Sequence, residues 1–393
     1  MRLFLSVCLS FLLAFPALAD WAETLEAAKG QTVYWSAWGG DARTNAFIEW
    51  VGKETETRFG VKVEQVKLTD TAEAVSRVIA EKAAGRETGG SVDLIWINGP
   101  NFMSMKEQGL LYGPFAGDLP NARYLDLTEG SAAATDFTVP VDGYESAWRL
   151  ARFVLIYDSA RTAPPATMEA LKDWAAENPG RLTHPAPSNF MGATFLKQAL
   201  IELTPDPAIL QSPATDENFD QATAPFWDWY EGLRPQLWRA GESFPENESV
   251  QNQMLNDGEV DFGISFDPAF AAAAIAQGLL PETARVHVPA DGSIGNISFV
   301  AIPFNAANRE GAMVVANFLL EPETQARQQD IDVLGSFSVL DPDKLDAEEK
   351  AAFTDLSRPP ALPDLEALGP TLPEPHPSWM TRLVETWAER YTK

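Results

Sequence analysis

Cysteine is the scarcest chemistry in this chain. Among 393 residues only Cys8 carries a thiol, and it sits inside an apolar run from Leu3 to Phe15. Met1 and Arg2 supply a short basic start, and Ala17-Leu18-Ala19 has the small-x-small form of a cleavage site. Residues 1–19 therefore read as a signal peptide, with Cys8 too deep in the run to be a lipid-attachment cysteine. Its removal leaves a mature chain without disulfides or thiol nucleophiles, which a chain this long does not need for stability even in an oxidising compartment. Long apolar runs are also missing: Leu3–Phe15 falls short of the roughly 20 residues of a membrane span, and no later stretch is longer. The expectation is an exported, soluble periplasmic protein.

Positive charge is the second shortage. Lys and Arg number 29 against 56 Asp and Glu, a net charge of −27. That balance argues against nucleic acid and anionic membrane surfaces as partners. It tilts the ligand toward neutral or cationic chemistry, although a solvated acidic surface gives the same total. Three histidines, His184, His287 and His376, lie far apart with no second ligand at metal spacing, so no metal and no cofactor are expected.

What is present is an alternation of strand-like and helix-like segments. "KGQTVYWSAWGG" reads as a strand ending in glycines, and "ARTNAFIEWVGKETETRFG" as a helix with Phe47, Trp50 and Val51 on one face and Gly60 as its stop. "VKVEQVKL", a helix with Ala74, Val75, Val78 and Ile79 as its stripe, and the apolar strand "SVDLIWING" follow. This order predicts a parallel sheet wrapped by helices. The same architecture returns in "ARFVLIYD", "TMEALKDWAAENPG", "SNFMGATFLKQALIEL", "DFGISF" and "ISFVAIP" without any sequence repeat. The expected fold is α/β with two lobes, joined by extended crossovers in "FTVPVDGYESAW" and "HVPADGSIGN". "SWMTRLVETWAERYTK" reads as a final docking helix, with Met380, Leu383, Val384, Trp387 and Tyr391 on one face.

In open α/β sheets a ligand meets the carboxyl ends of strands. The candidates there are Trp38, Gly39 and Asp41; Asn98, Asn101 and Phe102; Asn189 and Phe190; and Asp267. Tyr144 and Trp148 on the first crossover and Asn296 on the second complete the set. Each has a plainer reading. Asp41 suits a helix N-cap, worth about 1 kcal/mol, and a carboxylate there occupies the end of the helix that attracts anions. Trp35 and Trp38 are three apart on a strand and so face opposite ways, Trp35 toward the core and Trp38 toward a cleft. Gly39-Gly40 fits a turn or a close backbone approach. Asn98 and Asn101 flank "GP" and suit a turn, whereas Phe102 follows a polar loop and is expected to be exposed for a function. Tyr144 and Trp148 either close over a ligand from the hinge or pack between lobes.

No catalytic constellation appears. GxSxG, HExxH, a P-loop and a GxGxxG in strand-to-helix context are absent, and Asp257 and Glu259 around Gly258 read as a solvated turn rather than a glycosidase pair. A binding protein is expected rather than an enzyme. A secreted hydrolase using the same cleft is the competing class, and a sensor or scaffold domain the third.

The sequence resembles the periplasmic substrate-binding proteins of ABC transporters, specifically their YnjB-type family, over nearly the whole mature chain. The resemblance is carried by "AWGGD" at 37–41, "AAGRETGGSVDLIWINGPNF" at 83–102, "LTPDP" at 203–207, "IGNISFVAIP" at 294–303, "VANFLLEPETQAR" at 315–327 and "SVLDP" at 338–342. It implies the two-lobe type II periplasmic binding fold, with a first lobe of 20–140 plus about 297–335 and a second of 149–287 plus about 336–393. The crossovers would be 141–148 and 288–296. It also implies capture of a small molecule in the interlobe cleft and delivery to a permease and its ATPase in the inner membrane; a monomer is expected. Ferric-binding relatives use adjacent tyrosines, which this chain lacks, so iron is not expected. The leading ligand is a cationic or amphiphilic molecule, thiamine-like or polyamine-like, with a sugar or glycoside as the alternative.

Overall fold

A computed structural model describes residues 21–364 and 366–392, so the expected signal peptide lies outside the described residues. In chain order the main elements are β1 (Thr32–Trp38), α1 (Ala42–Phe59), β2 (Lys62–Leu68), α2 (Ala72–Ala83), β3 (Leu94–Ile97) and α3 (Pro100–Glu107). Then come β4 (Glu145–Arg152), β5 (Val154–Asp158), α4 (Phe190–Leu203), α5 (Asp216–Leu233), α6 (Glu248–Asn256) and β6 (Phe262–Ser265). β7 (Ala284–His287), β8 (Ser293–Ala301), α7 (Arg309–Leu319), β9 (Thr371–Leu372) and α8 (Pro377–Tyr391) complete the set.

The first sheet runs β9-β8-β3-β1-β2, with β4 also paired to β8. β1 is parallel to β2 and β3, as the alternation predicts. β8, however, is antiparallel to both β3 and β4, so the sheet is mixed. The second sheet, β6-β5-β7, is antiparallel throughout. The departure from a purely parallel design follows from connectivity. β4 and β5 carry the chain away from the first sheet, and β7 and β8 bring it back, so the returning strands must run the other way. The change of sheet on the outward path falls at Phe153, between β4 and β5, and on the return between His287 and Ser293.

Two cores correspond to the two sheets. Val33, Trp35, Phe47, Val51, Trp148 and Phe318 belong to the first; Phe195, Phe226, Tyr230, Phe262, Trp379 and Trp387 to the second. α1 is set by its ends: Asp41 caps its start, and Gly60, at φ 71, turns the chain where a side chain would be strained. The segment 336–393 divides between the lobes. Leu340, Leu345 and Phe353 pack on the first core, whereas α8 brings Trp379, Leu383 and Trp387 to the second. Met380 and Val384 are not among its buried residues.

Candidate ligand-binding cleft

Between the two sheets lies a cavity of ≈ 210 Å³. Eight of the residues expected at a site meet in its wall: Trp38, Asp41, Asn98, Asn101, Asn189, Phe190, Asp267 and Asn296. Pleating explains which strand residues reach it. On β4, Arg149 and Ala151 face the cavity, and on β8, Asn296 and Ser298 do, while Trp148 and Ile297 point into the core.

Four expected residues are not in that wall. Trp148 is fully buried, edge-on to Trp35 at 5.6 Å and to Trp96 at 5.0 Å, because it alternates with the cavity-facing Arg149. Phe102 is fully buried too, since α3 begins at Pro100 and sets Phe102 and Met105 on its inner face; the expectation of an exposed ring fails. Tyr144 leans on the loop at Gly113, where a Cβ would come within 2.7 Å of its ring. Gly39 serves the sheet: its N–H donates to the Leu68 carbonyl at 2.9 Å, and a Cβ there would lie 2.7 Å from Lys67. Gly40 has the role of close approach instead, because a Cβ on it would meet the Trp38 indole at 2.3 Å. Trp35 is core, as its strand position requires.

The cavity is aromatic and charged. Trp38 and Trp96 line it from the first lobe, and Phe190, Phe266 and Phe270 from the second, with Phe190 and Phe266 edge-on at 5.7 Å. Asp41 accepts from the Thr44 N–H at 3.0 Å, the Thr44 hydroxyl at 2.6 Å and the Arg43 N–H at 3.3 Å. Burial pushes its carboxyl up, but Arg43, the Thr44 hydrogen bonds and Arg149 outweigh that and hold it below the usual carboxylate range. Arg149 joins the lobes: Nη2 donates to Asp267 at 2.8 Å and Nη1 to the Thr44 hydroxyl at 3.3 Å. Asp267 also accepts from the Ser336 hydroxyl at 2.9 Å and the Ala269 N–H at 3.0 Å. Arg43 donates to the Leu334 carbonyl at 2.9 Å and sits 5.9 Å from the Phe270 ring centroid. Glu248, at the first turn of α6, faces this group from the second lobe, and burial pushes its carboxyl up to about 7, with Asp41 adding to the rise.

Helix starts crowd the same wall, and most are already capped. Asp41 caps α1, the Asp70 carboxylate takes the Ala72 N–H at 2.8 Å at α2, Asn189 takes the Met191 N–H at 2.9 Å at α4, and Asn247 the Val250 N–H at 3.0 Å at α6. Two helices that begin at the wall have no side-chain cap: α3, entered through Gly99 and Pro100, and the short helix Phe270–Ala276.

Behind the cavity lies a sealed polar group. Asn98 donates to the Ile297 carbonyl at 2.7 Å and to Asp136 at 3.2 Å, and Asn296 donates to Glu374 at 3.0 Å. Glu374 pairs with Lys197 at 2.6 Å, both side chains essentially inaccessible. Burial raises the Asp136 carboxyl to about 7 against the hydrogen bonds from Asn98 and Gly99. Two asparagines thus separate this group from the cavity.

Sequence reasoning missed Trp96, Arg43, Thr44, Arg149, Phe266, Phe270 and Glu248. The signal for Arg149 was present: one step from a core tryptophan on a strand, it must face the other way. Glu248 also carried one, an acid directly after Asn247 at a helix start.

An α/β chain in two lobes with a polar and aromatic cavity between them defines a solute-binding protein, and the comparisons place it in a family. The bacterial extracellular solute-binding protein model matches residues 50–341, and the chain belongs to that family, the solute-binding proteins of ABC transporters. It is 43% identical over 374 residues to Protein YnjB of Escherichia coli (strain K12), covering 95% of this chain and 94% of that protein. Three solved structures share the fold at lower identity. They are a putative spermidine/putrescine ABC transporter protein from Listeria monocytogenes (18% identical, TM-score 0.64), AfuA from Actinobacillus pleuropneumoniae with fructose-6-phosphate bound (17%, 0.63) and a ferric binding protein from Campylobacter jejuni (16%, 0.62). They cover 92%, 92% and 91% of this chain and 98% of each of theirs. The family consists of binding proteins rather than enzymes.

Proposed function

We propose that the protein is the periplasmic receptor of an ABC importer, a monomer that takes a small organic cation into the cavity between its lobes and delivers it to a permease and ATPase. The observation that carries this reading is the wall's charge. Four acids, Asp41, Asp70, Glu248 and Asp267, share it with two bases, Arg43 and Arg149, and Arg149 is taken up by Asp267. An anionic ligand of this kind of site draws on free helix N–H groups, and here four of the six helix starts are occupied by Asp41, Asp70, Asn189 and Asn247. Aromatic rings in a wall with more acids than bases suit an organic cation such as a thiamine-like or polyamine-like molecule. A micromolar dissociation constant needs about −8 kcal/mol. Two or three ring contacts at roughly 0.5–2 kcal/mol each, with a partly desolvated carboxylate, supply much of it.

A thermal-shift screen of the exported protein against thiamine, polyamines, quaternary amines, amino acids and sugars tests this. A ligand at ~100 times its dissociation constant stabilises by about 2.7 kcal/mol, a visible shift. Stabilisation by neutral sugars alone would overturn the cation and favour the sugar-binding alternative.

A further inference from the structure

We infer that Glu248 is the second lobe's counter-charge for the ligand's cationic group, and that the cation binds in exchange for the proton on Glu248. The inference rests on the cation reading above and adds which residue selects the charge and how pH controls capture.

The argument begins with two carboxylates on opposite walls. Asp41 comes from the start of α1 and Glu248 from the start of α6; both line the cavity, and the Asp41 charge reaches Glu248. Their surroundings differ. Asp41 receives the Thr44 hydroxyl and two backbone N–H groups and lies beside Arg43, all of which favour the charged form. Glu248 has only its own backbone N–H, with no side-chain partner among the described residues. The remaining charged groups in the wall do not supply one. Asp70 caps α2, Arg43 is held by Leu334, and Arg149 and Asp267 hold each other. Burial favours the protonated form of a carboxyl without a partner, the Asp41 charge adds to that, and so the less supported carboxyl keeps the proton. Its raised value of about 7 agrees with that geometry.

An organic cation entering between the two walls reverses the balance. It supplies the positive charge that Glu248 lacks, the Oε–H proton passes to solvent, and one carboxylate from each lobe then holds the cation. The charge count closes: one cation enters and one proton leaves. A neutral sugar has no such exchange to offer. Binding is therefore weakened in acid, where the proton is hard to displace, and is independent of pH once Glu248 is already ionised.

The test is isothermal titration calorimetry of thiamine, choline, putrescine and spermidine into the full exported protein, in buffers of different ionisation enthalpy. A bound probe should release close to one proton at about pH 6 and close to none at about pH 8.5, with affinity rising toward tenfold per pH unit on the acid side. Glu248→Gln should bind the same probe about ten- to a hundredfold more weakly at about pH 8.5 and release no proton at about pH 6. Wild-type binding without proton release overturns the inference. So does release that persists in Glu248→Gln, which would put the proton on another group such as Asp136. Either result leaves the cation reading intact, whereas failure of all four probes to bind overturns both. If Glu248→Gln does not fold, Glu248→Asp takes its place: a release profile that moves in pH assigns the proton to this side chain, and an unmoved profile overturns the inference.

Discussion

The cavity wall and the polar group sealed behind it use the same residue types to opposite ends. In the sealed group, Lys197 and Glu374 pair at 2.6 Å out of reach of solvent, and Asn296 and Asn98 donate to the Glu374 and Asp136 carboxylates. Arg152 behaves in the same way beside it: its guanidinium donates to Ser293, Thr371 and the carbonyls of Leu368, Gly369 and Pro370, tying β4, β8 and the segment around β9 together. In the wall, by contrast, Glu248 and Asn101 have no side-chain partner among the described residues. The difference teaches where exchange is possible. Groups satisfied by the protein fix the geometry of the crossing strands, and groups left short of partners are the ones a ligand can satisfy.

The strongest way to break this contrast is to unpair the sealed group. Lys197→Met leaves Glu374 buried without its cation and close enough to Asp136 to repel it, so a loss of about 3–5 kcal/mol is expected in urea unfolding at neutral pH. A loss below about 1 kcal/mol would show that the pair is not sealed from water.

A second test takes a sealed group in the second lobe. His184 lies between the rings of Phe195 and Phe244 with its nitrogens against the Pro185 carbonyl at 2.7 Å and the Tyr230 hydroxyl at 3.0 Å. Burial lowers its pKa to about 4, against the Pro185 hydrogen bond. The folded protein resists a proton that the unfolded chain accepts near 6.5, so stability is complete above that pH and falls as pH drops from 6.5 toward 4. The loss should approach roughly 3 kcal/mol, and His184→Gln should remove that part of the pH slope whatever it does to the plateau. An unchanged slope in the variant would mean His184 is not the titrating group.

These sites also show what the sequence can and cannot tell. Local rules located the helix cap at Asp41, the stop at Gly60 and the opposite facing of Trp35 and Trp38, because each depends on neighbours in the chain. Phe102 and Trp148 were misread for want of one boundary: once α3 starts at Pro100, and once β4 extends through Arg152, their inward facing follows. The parallel-sheet expectation failed in the second lobe because strand direction is decided by how the chain returns, which composition does not record. Glu248 and Phe270 lie more than 200 residues from Trp38 in the chain, and only the folded cleft brings them to one wall.

Trp38→Ala gives the smallest expected effect and the sharpest separation of the two regions. The indole is half-buried at the end of β1, folded over Gly40 rather than keyed into the first core, so its loss should cost about 1 kcal/mol of stability or less. As a wall ring beside Asp41 it should contribute about 0.5–2 kcal/mol to a bound cation, so the same change weakens binding by roughly two- to thirtyfold. Trp35→Ala, three residues away on the opposite face of the strand and fully buried against Trp148, should do the reverse and destabilise by about 3–5 kcal/mol. Calorimetric affinity and thermal unfolding measured on both variants therefore distinguish a cleft ring from a core ring on a single strand. If Trp38→Ala unfolds as easily as Trp35→Ala while binding its ligand unchanged, Trp38 belongs to the packing of the first lobe and the aromatic wall must be built from Trp96 and the second-lobe phenylalanines alone.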